Sequence, residues 1–218
     1  MRSIAVLACG GGSNLQALLD ASAAGTLGAS VSVVVADRPC GALARAEAAG
    51  ARAVLLPMAA TARRDPATRR AYDERLADVL AVFAPDLVVL AGWMLLLSPQ
   101  FLARFPGRVI NVHPALLPEN GGDVVETNRG AIPALRGAYA VRDALRAGLP
   151  LTGATVHVVT DDLDAGPVLL RGEVAILPGD DETTLHARIK AVEHLLLPRA
   201  VAALLGTSAE SPGTPGCG

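Results

Sequence analysis

Apolar and polar positions along the chain fall into two rhythms. Short, continuous apolar runs rich in β-branched residues recur at Ile4–Ala8, Val31–Ala36, Ala53–Leu56, Leu87–Ala91 and Val109–Val112. Continuity rather than alternation indicates strands buried on both faces, as in a parallel sheet. Between these runs lie Ala/Leu/Arg segments at helical spacing. They predict helices over Asn14–Ala24, with Ser13 as N-cap, over Ala42–Ala49, closed by Gly50, over Arg69–Phe83, ending before Ala84-Pro85, and over Pro99–Arg104. Regular alternation of strand and helix predicts an α/β fold with a doubly wound, mostly parallel, Rossmann-like sheet.

The rhythm changes after Pro118. Glu119–Pro133 is polar, carries glycines and has no clear period, so it reads as a long loop. Helical spacing resumes at Tyr139–Ala147. Thr155–Val159 and Val168–Val174 read as strands joined by the turn-rich TDDLDAGP. A closing helix spans Glu182–Leu205, with Pro198 as a place for a bend. A length of 218 residues fits one domain. That domain is expected over residues 1–206, with halves meeting near residue 110. Residues 207–218 have linker composition and are expected to form a mobile tail. No internal repeat is present.

Composition narrows the function. Apolar residues make up 51 %, which excludes intrinsic disorder. Aromatics are only 3 %, too few for base-stacking platforms, and a net charge of −2 lacks the basic excess of a phosphate-backbone binder. No nucleic-acid partner is therefore expected. The longest apolar run, Leu87–Leu97, falls well short of the roughly 20 residues of a membrane span. The apolar stretch Ile4–Cys9 is too short for a secretion signal and reads as a first strand. Cys9, Cys40 and Cys217 form neither a disulfide framework nor a zinc pattern, which suits a cytoplasmic protein. Of the 19 basic residues only Lys190 is lysine, which makes its position notable.

Four motifs can carry chemistry. CGGGSNLQ, from Cys9 to Gln16, follows the first strand. Gly11, Gly12, Ser13 and Asn14 can cradle a phosphate at a helix N-terminus, or simply make a tight turn. Neither the dinucleotide glycine pattern nor a Walker loop is present. INVHPALLP places Asn111 and His113 two apart at a strand's C-terminal end, so both side chains share one face. Ligands of open α/β sheets bind at that edge. An amide that donates to an oxyanion beside an imidazole that moves protons suits acyl transfer, although a buried structural histidine is the plain alternative. In TDDLDAGP, Asp161 and Asp162 read as turn formers, whereas Asp164 can raise the pKa of a nearby imidazole. His186, Lys190 and His194 share a helix face with Glu193 alongside, as a site wall or as an exposed charged stripe. No metal-ligand spacing is present, and no metal is expected. The residues alone reach an acyl- or one-carbon-transfer site with a phosphorylated ligand.

Taken together and in order, GGGSNLQ, VVLAGWM, INVHPALLP, TGATVHVVTDDLDAGPV and GDDETTLHARIKAVEH resemble the phosphoribosylglycinamide formyltransferases of purine biosynthesis, from about Ile4 to Leu205. The resemblance implies transfer of the formyl group of 10-formyltetrahydrofolate, as cosubstrate, to the amine of glycinamide ribonucleotide. It implies that Asn111, His113 and Asp164 are catalytic, with Asn111 and a protonated His113 stabilising the oxyanion. It assigns Gly12, Ser13, Asn14, Lys190, Ala191, Val192 and Glu193 to the ribonucleotide. It assigns Arg69, Met94, Leu95, Leu96, Leu97, Asn111, Thr160, Asp161, Asp162, Leu163 and Asp164 to the folate. A monomer or homodimer is implied.

Three departures stand out. Residues Glu119–Pro133 look inserted in a loop expected to border the folate site, as a lid, a dimer contact, a specificity element or a tolerated surface insertion. Tyr139 stands where many members have histidine, and Leu95 replaces a residue that is arginine in some. Methionyl-tRNA formyltransferases share the Asn-x-His and Asp pattern but normally carry an RNA-binding domain and a basic surface. Formyltetrahydrofolate deformylases normally carry an N-terminal regulatory domain. A non-catalytic folate- or nucleotide-binding protein is disfavoured by the intact Asn111, His113 and Asp164.

Overall fold

The computed structural model describes residues 2–119 and 121–206. The tail expected at 207–218 and Cys217 lie outside the described residues. One seven-stranded sheet organises the chain, in the order β3-β2-β1-β4-β5-β8-β9. Its first five strands are β1 (Arg2–Leu7), β2 (Ala29–Ala36), β3 (Arg52–Leu55), β4 (Leu87–Leu90) and β5 (Val109–His113). They pair in parallel, whereas β8 (Leu151–Val158) and β9 (Val168–Ala175) continue the sheet antiparallel. The doubly wound, mostly parallel expectation holds. The division expected near residue 110 falls inside β5, so the sheet is continuous across it.

Continuous apolar strands arise because both sheet faces are covered. On one face Ile4, Val6, Val34, Val89 and Ile110 meet Leu15 and Leu18 of α1 (Ser13–Ala23) and Leu197 and Val201 of α6 (Glu182–Leu204). Also on this face is α2 (Gly41–Ala48), through Ala42 and Ala46. On the other, Ala5, Leu7, Val33, Val35 and Val88 meet Tyr72, Leu76 and Leu80 of α3 (Pro66–Val82) and Phe101 of α4 (Pro99–Arg104). Successive residues of the central strands β1, β2, β4 and β5 thus serve different cores, and no polar face remains on them.

Several boundaries differ from expectation for identifiable reasons. Ser13 does not cap α1; it is the first helical residue. The cap is Gly12, at φ 73°, and a β-carbon there would lie 2.8 Å from Ala42 Cα. Positive φ and the close helix both require glycine. Helix α3 starts three residues earlier than its apolar spacing suggests. Asp65 accepts from the N–H groups of Ala67 and Thr68 and Pro66 opens the first turn, a pairing suited to a helix start. Strand β8 begins at Leu151, because Leu151, Gly153, Thr155 and His157 face away from α6 and are covered by other segments. Helix α6 continues through Pro198 to Leu204.

The segment read as a structureless loop is partly ordered. It forms a hairpin of β6 (Val124–Val125) and β7 (Ile132–Pro133). Val125 and Ile132 are buried against Leu116 and Leu151. Then α5 (Ala140–Arg146) follows.

Candidate active site

The chain winds outward from β1 to β3 and then crosses to β4 and β5, so strand order reverses between β1 and β4. Crevices at the C-terminal ends of strands beside such a reversal bind ligands. Three predicted segments meet that edge: the glycine loop after β1, residues 91–98 after β4, and Asn111 and His113 on β5. A hydrogen bond from the Cys9 N–H to the Gly92 carbonyl, 3.3 Å, joins the first two loops.

Alternation on β5 sends Ile110 and Val112 into the α1/α6 core, and Asn111 and His113 to the opposite face. There the cover is the segment 135–137 and the TDDLDAGP loop. His113 is 4 % exposed, with Nδ1 3.4 Å from Asp164 Oδ2. Its Nε2 lies 2.7 Å from the Leu135 carbonyl. A carbonyl only accepts, so Nε2 holds the proton of the neutral ring and Nδ1 turns its lone pair toward Asp164. Asp164 Oδ2 also accepts from the Gly137 N–H at 2.8 Å. The Asp164 backbone has φ 49°, a region rare outside glycine and tolerated best by Asn and Asp.

A further group was not singled out by sequence. His157 pairs with Asn111 across β5 and β8, and its Nε2 is 3.2 Å from Asn111 Nδ2 and 3.5 Å from Asp164 Oδ1. Its Nδ1–H donates to the Val158 carbonyl at 3.0 Å, which leaves Nε2 to accept from Asn111 when the ring is neutral. One amide hydrogen of Asn111 is thereby fixed and the other remains for a ligand. The strand TVHVV carried a signal, a lone histidine in an apolar run, but its partner became visible only through the antiparallel register.

Electrostatics corrects one expectation. Burial pushes the His113 pKa down, and this outweighs the raising effects of Asp164 and the Leu135 carbonyl; His157 and Arg136 push the same way as burial. Burial thus opposes the charged imidazole that Asp164 favours. Burial also opposes ionisation of Asp164. Its contacts with His157, His113 and the Gly137 N–H prevail, lowering its pKa to about 2. The carboxylate is ionised, and both ring nitrogens of His113 face acceptors that would satisfy an imidazolium once formed.

The residues expected to hold the ribonucleotide are partly assembled. Asn14 Nδ2 donates to Glu193 Oε2 at 2.8 Å, and Glu193 is 3 % exposed. Burial raises the Glu193 pKa, against Asn14 and the Lys190 charge. Asn14 Oδ1 is buried without a partner, an unmet acceptor. Gly12 and Ser13 stand at the same α1 terminus. Val192, by contrast, packs on Gly172 of β9, and Ala191 points to solvent, so neither joins Asn14.

The folate residues separate similarly. Arg69 is drawn inward: Nε bonds Asp73 at 3.1 Å and an Nη donates to the Leu96 carbonyl. Asp73 in turn accepts from the Ser98 N–H at 3.0 Å. The pair holds the 94–98 wall. Leu95 is buried and Leu97 packs on the same core, whereas Met94 and Leu96 are exposed and apolar, as is Leu163 of the TDDLDAGP loop. Thr160, Asp161 and Asp162 are exposed on the opposite loop. Tyr139 stacks under Arg142, 4.0 Å from ring centre to guanidinium, and takes no part in the His113 cluster. The Cys9 thiol donates to Asp37, and burial with that neighbour pushes its pKa up to about 12, so it is not a nucleophile.

A doubly wound sheet with a buried His–Asp pair and an oriented amide at its carboxyl edge defines an enzyme built for acyl-group transfer. The chain belongs to the formyl transferase family, whose model matches residues 2–201. It is 46 % identical over 201 residues to a phosphoribosylglycinamide formyltransferase of Mycobacterium tuberculosis, covering 92 % of this chain and 84 % of that protein. To the enzyme of that name from Escherichia coli it is 36 % identical, covering 91 % and 85 %. The crystal structure of glycinamide ribonucleotide transformylase 1 from Symbiobacterium toebii superposes with a TM-score of 0.80 at 39 % identity, covering 92 % of this chain and 86 % of that one.

Proposed function

We propose that this chain transfers the formyl group of 10-formyltetrahydrofolate to the amine of glycinamide ribonucleotide, yielding formylglycinamide ribonucleotide and tetrahydrofolate in purine biosynthesis. The observation that carries this reading is the convergence of Asn111, His113 and Asp164 at the carboxyl edge of the sheet, with a polar and an apolar group of residues at neighbouring strand ends. The Gly12–Asn14 and Glu193 side is polar and holds an unmet acceptor, as a ribose phosphate requires. The Met94, Leu96 and Leu163 side is apolar, as a pterin and its aryl extension require.

In this reading the amine attacks the formyl carbon, and the carbonyl oxygen becomes an oxyanion. The second amide hydrogen of Asn111 donates to it. The proton leaving the amine enters the 3.4 Å gap between His113 Nδ1 and Asp164 Oδ2, where two acceptors face each other. His113 accepts it, and the resulting imidazolium is held by Asp164 on one side and the Leu135 carbonyl on the other. The imidazolium then returns a proton to the folate nitrogen as the C–N bond breaks. An oxyanion donor of this kind contributes roughly 3–4 kcal/mol and acid–base help roughly 10²–10⁴ in rate. The free thiols of Cys9 and Cys40 suit the reducing cytoplasm in which we place the protein.

The test is release of tetrahydrofolate by purified protein. The expected result is turnover only when both ligands are present, abolished in His113→Ala. Folate release with no acceptor, or equal turnover in the variant, would overturn the reading.

A further inference from the structure

The inserted hairpin and the catalytic loop are joined by one side chain. Arg136 is 21 % exposed, and its guanidinium spans two segments. One end donates to the Gly121 and Gly122 carbonyls at 3.0 and 2.5 Å and to Asp123 Oδ1 at 3.1 Å, all at the root of the insertion. Its Nε donates to the Asp164 backbone carbonyl at 3.4 Å. We propose that the insertion is a brace for the catalytic carboxylate and that Arg136 is the positioning residue through which it acts; this rests on the formyl-transfer reading above.

Four observations converge on it. First, the neighbours of Arg136 hold the catalytic pair through their backbone: the Leu135 carbonyl takes the His113 Nε2–H and the Gly137 N–H donates to Asp164 Oδ2. Displacing Arg136 moves both contacts. Second, Asp164 has a left-handed backbone that needs outside support to persist. Third, the hairpin is firm enough to push against. Val125 and Ile132 are buried, Arg171 reaches the Leu117 carbonyl at 3.3 Å and Glu119 at 3.6 Å, and the Ala134 N–H closes on the Asp123 carbonyl at 2.9 Å. Fourth, Gly121 abuts the catalytic loop, since a β-carbon there would lie 3.3 Å from the Ala165 carbonyl.

The chemistry requires arginine. The partners are three carbonyls and a carboxylate, all acceptors, set around a plane, and a guanidinium offers five donors in one plane where an ammonium offers a point charge. The insertion's anchors lie on β8, β9 and the Asp164 loop.

The experiment compares steady-state formyl transfer in wild type, Arg136→Ala and Asp123→Ala, with melting temperatures measured alongside. Turnover by the wild type establishes the parent reaction, so its absence counts against the proposed function and not against the brace. With wild type active, Arg136→Ala is expected to lose about 10- to 100-fold in kcat, as misplacement of a catalytic group does, with both KM values within about twofold and little change in melting temperature. Asp123 is 95 % exposed, so Asp123→Ala keeps the fold while removing one anchor, and an about threefold loss of kcat is expected. Wild-type kcat in both variants overturns the proposal. So does a loss in Arg136→Ala that merely tracks unfolding while Asp123→Ala is unaffected.

Discussion

His113 sits in an environment that pulls two ways. Burial favours the neutral ring, while Asp164 and the Leu135 carbonyl wait for the charged one. A base needs that arrangement: neutral at rest, supported once it has taken a proton. Because its pKa lies below the ordinary 6.5, kcat/KM is expected to rise with pH through an acid limb centred below 6.5 and to level off above it. A pH–rate profile checks this, and activity falling steadily from pH 6 to 8 contradicts it. Stability follows the same sign. Below 6.5 the unfolded chain binds a proton that folded His113 resists, so stability declines as pH falls through that window. Asp164 adds stability fully present above 3.8 and lost as pH falls toward about 2. Asn111, His113 and Asp164 were legible in sequence because short motifs at strand ends carry them. His157 was not, since nothing within TVHVV indicates which strand lies beside it.

Among elements, the start of α1 shows how tightly local sequence and site are coupled. Gly12 must have positive φ and must admit Ala42 of α2. Gly12→Ala therefore strains the turn that presents Ser13 and Asn14. It is expected to cost about 1–3 kcal/mol of stability and to raise KM for the ribonucleotide more than for the folate. Denaturant titration with paired KM measurements reads both effects, and an unchanged variant contradicts the account. The parallel strands β1, β2, β4 and β5 were readable because each buries both faces, and their helices because each carries an apolar stripe toward the sheet. The hairpin of β6 and β7 was not, because each strand has two residues and draws its stability from Leu116 and Leu151, distant in sequence. Arg136 escaped notice for the same reason: its partners are mostly backbone carbonyls, which leave no trace in side-chain pattern.

Across the molecule, the proposed site draws on both sides of the point where strand order reverses. Sequence reveals alternation of elements but not that order, and the antiparallel β8 and β9 looked like any other strands. The two halves predict separable ligand effects. Glycinamide ribonucleotide at about 100 times its Kd should stabilise the fold by about 2.7 kcal/mol, seen as a rise in Tm. Glu193→Ala, which removes the buried partner of Asn14, should shrink that rise and leave the folate effect intact. Loss of both effects, or of neither, would place Glu193 outside the ribonucleotide half.

The central claim, that Asp164 makes His113 a competent proton carrier, is tested most directly by kcat in Asp164→Asn, a nearly isosteric change. The account predicts a loss of about 10²–10⁴ with both KM values little altered. A kcat within about threefold of wild type would contradict it.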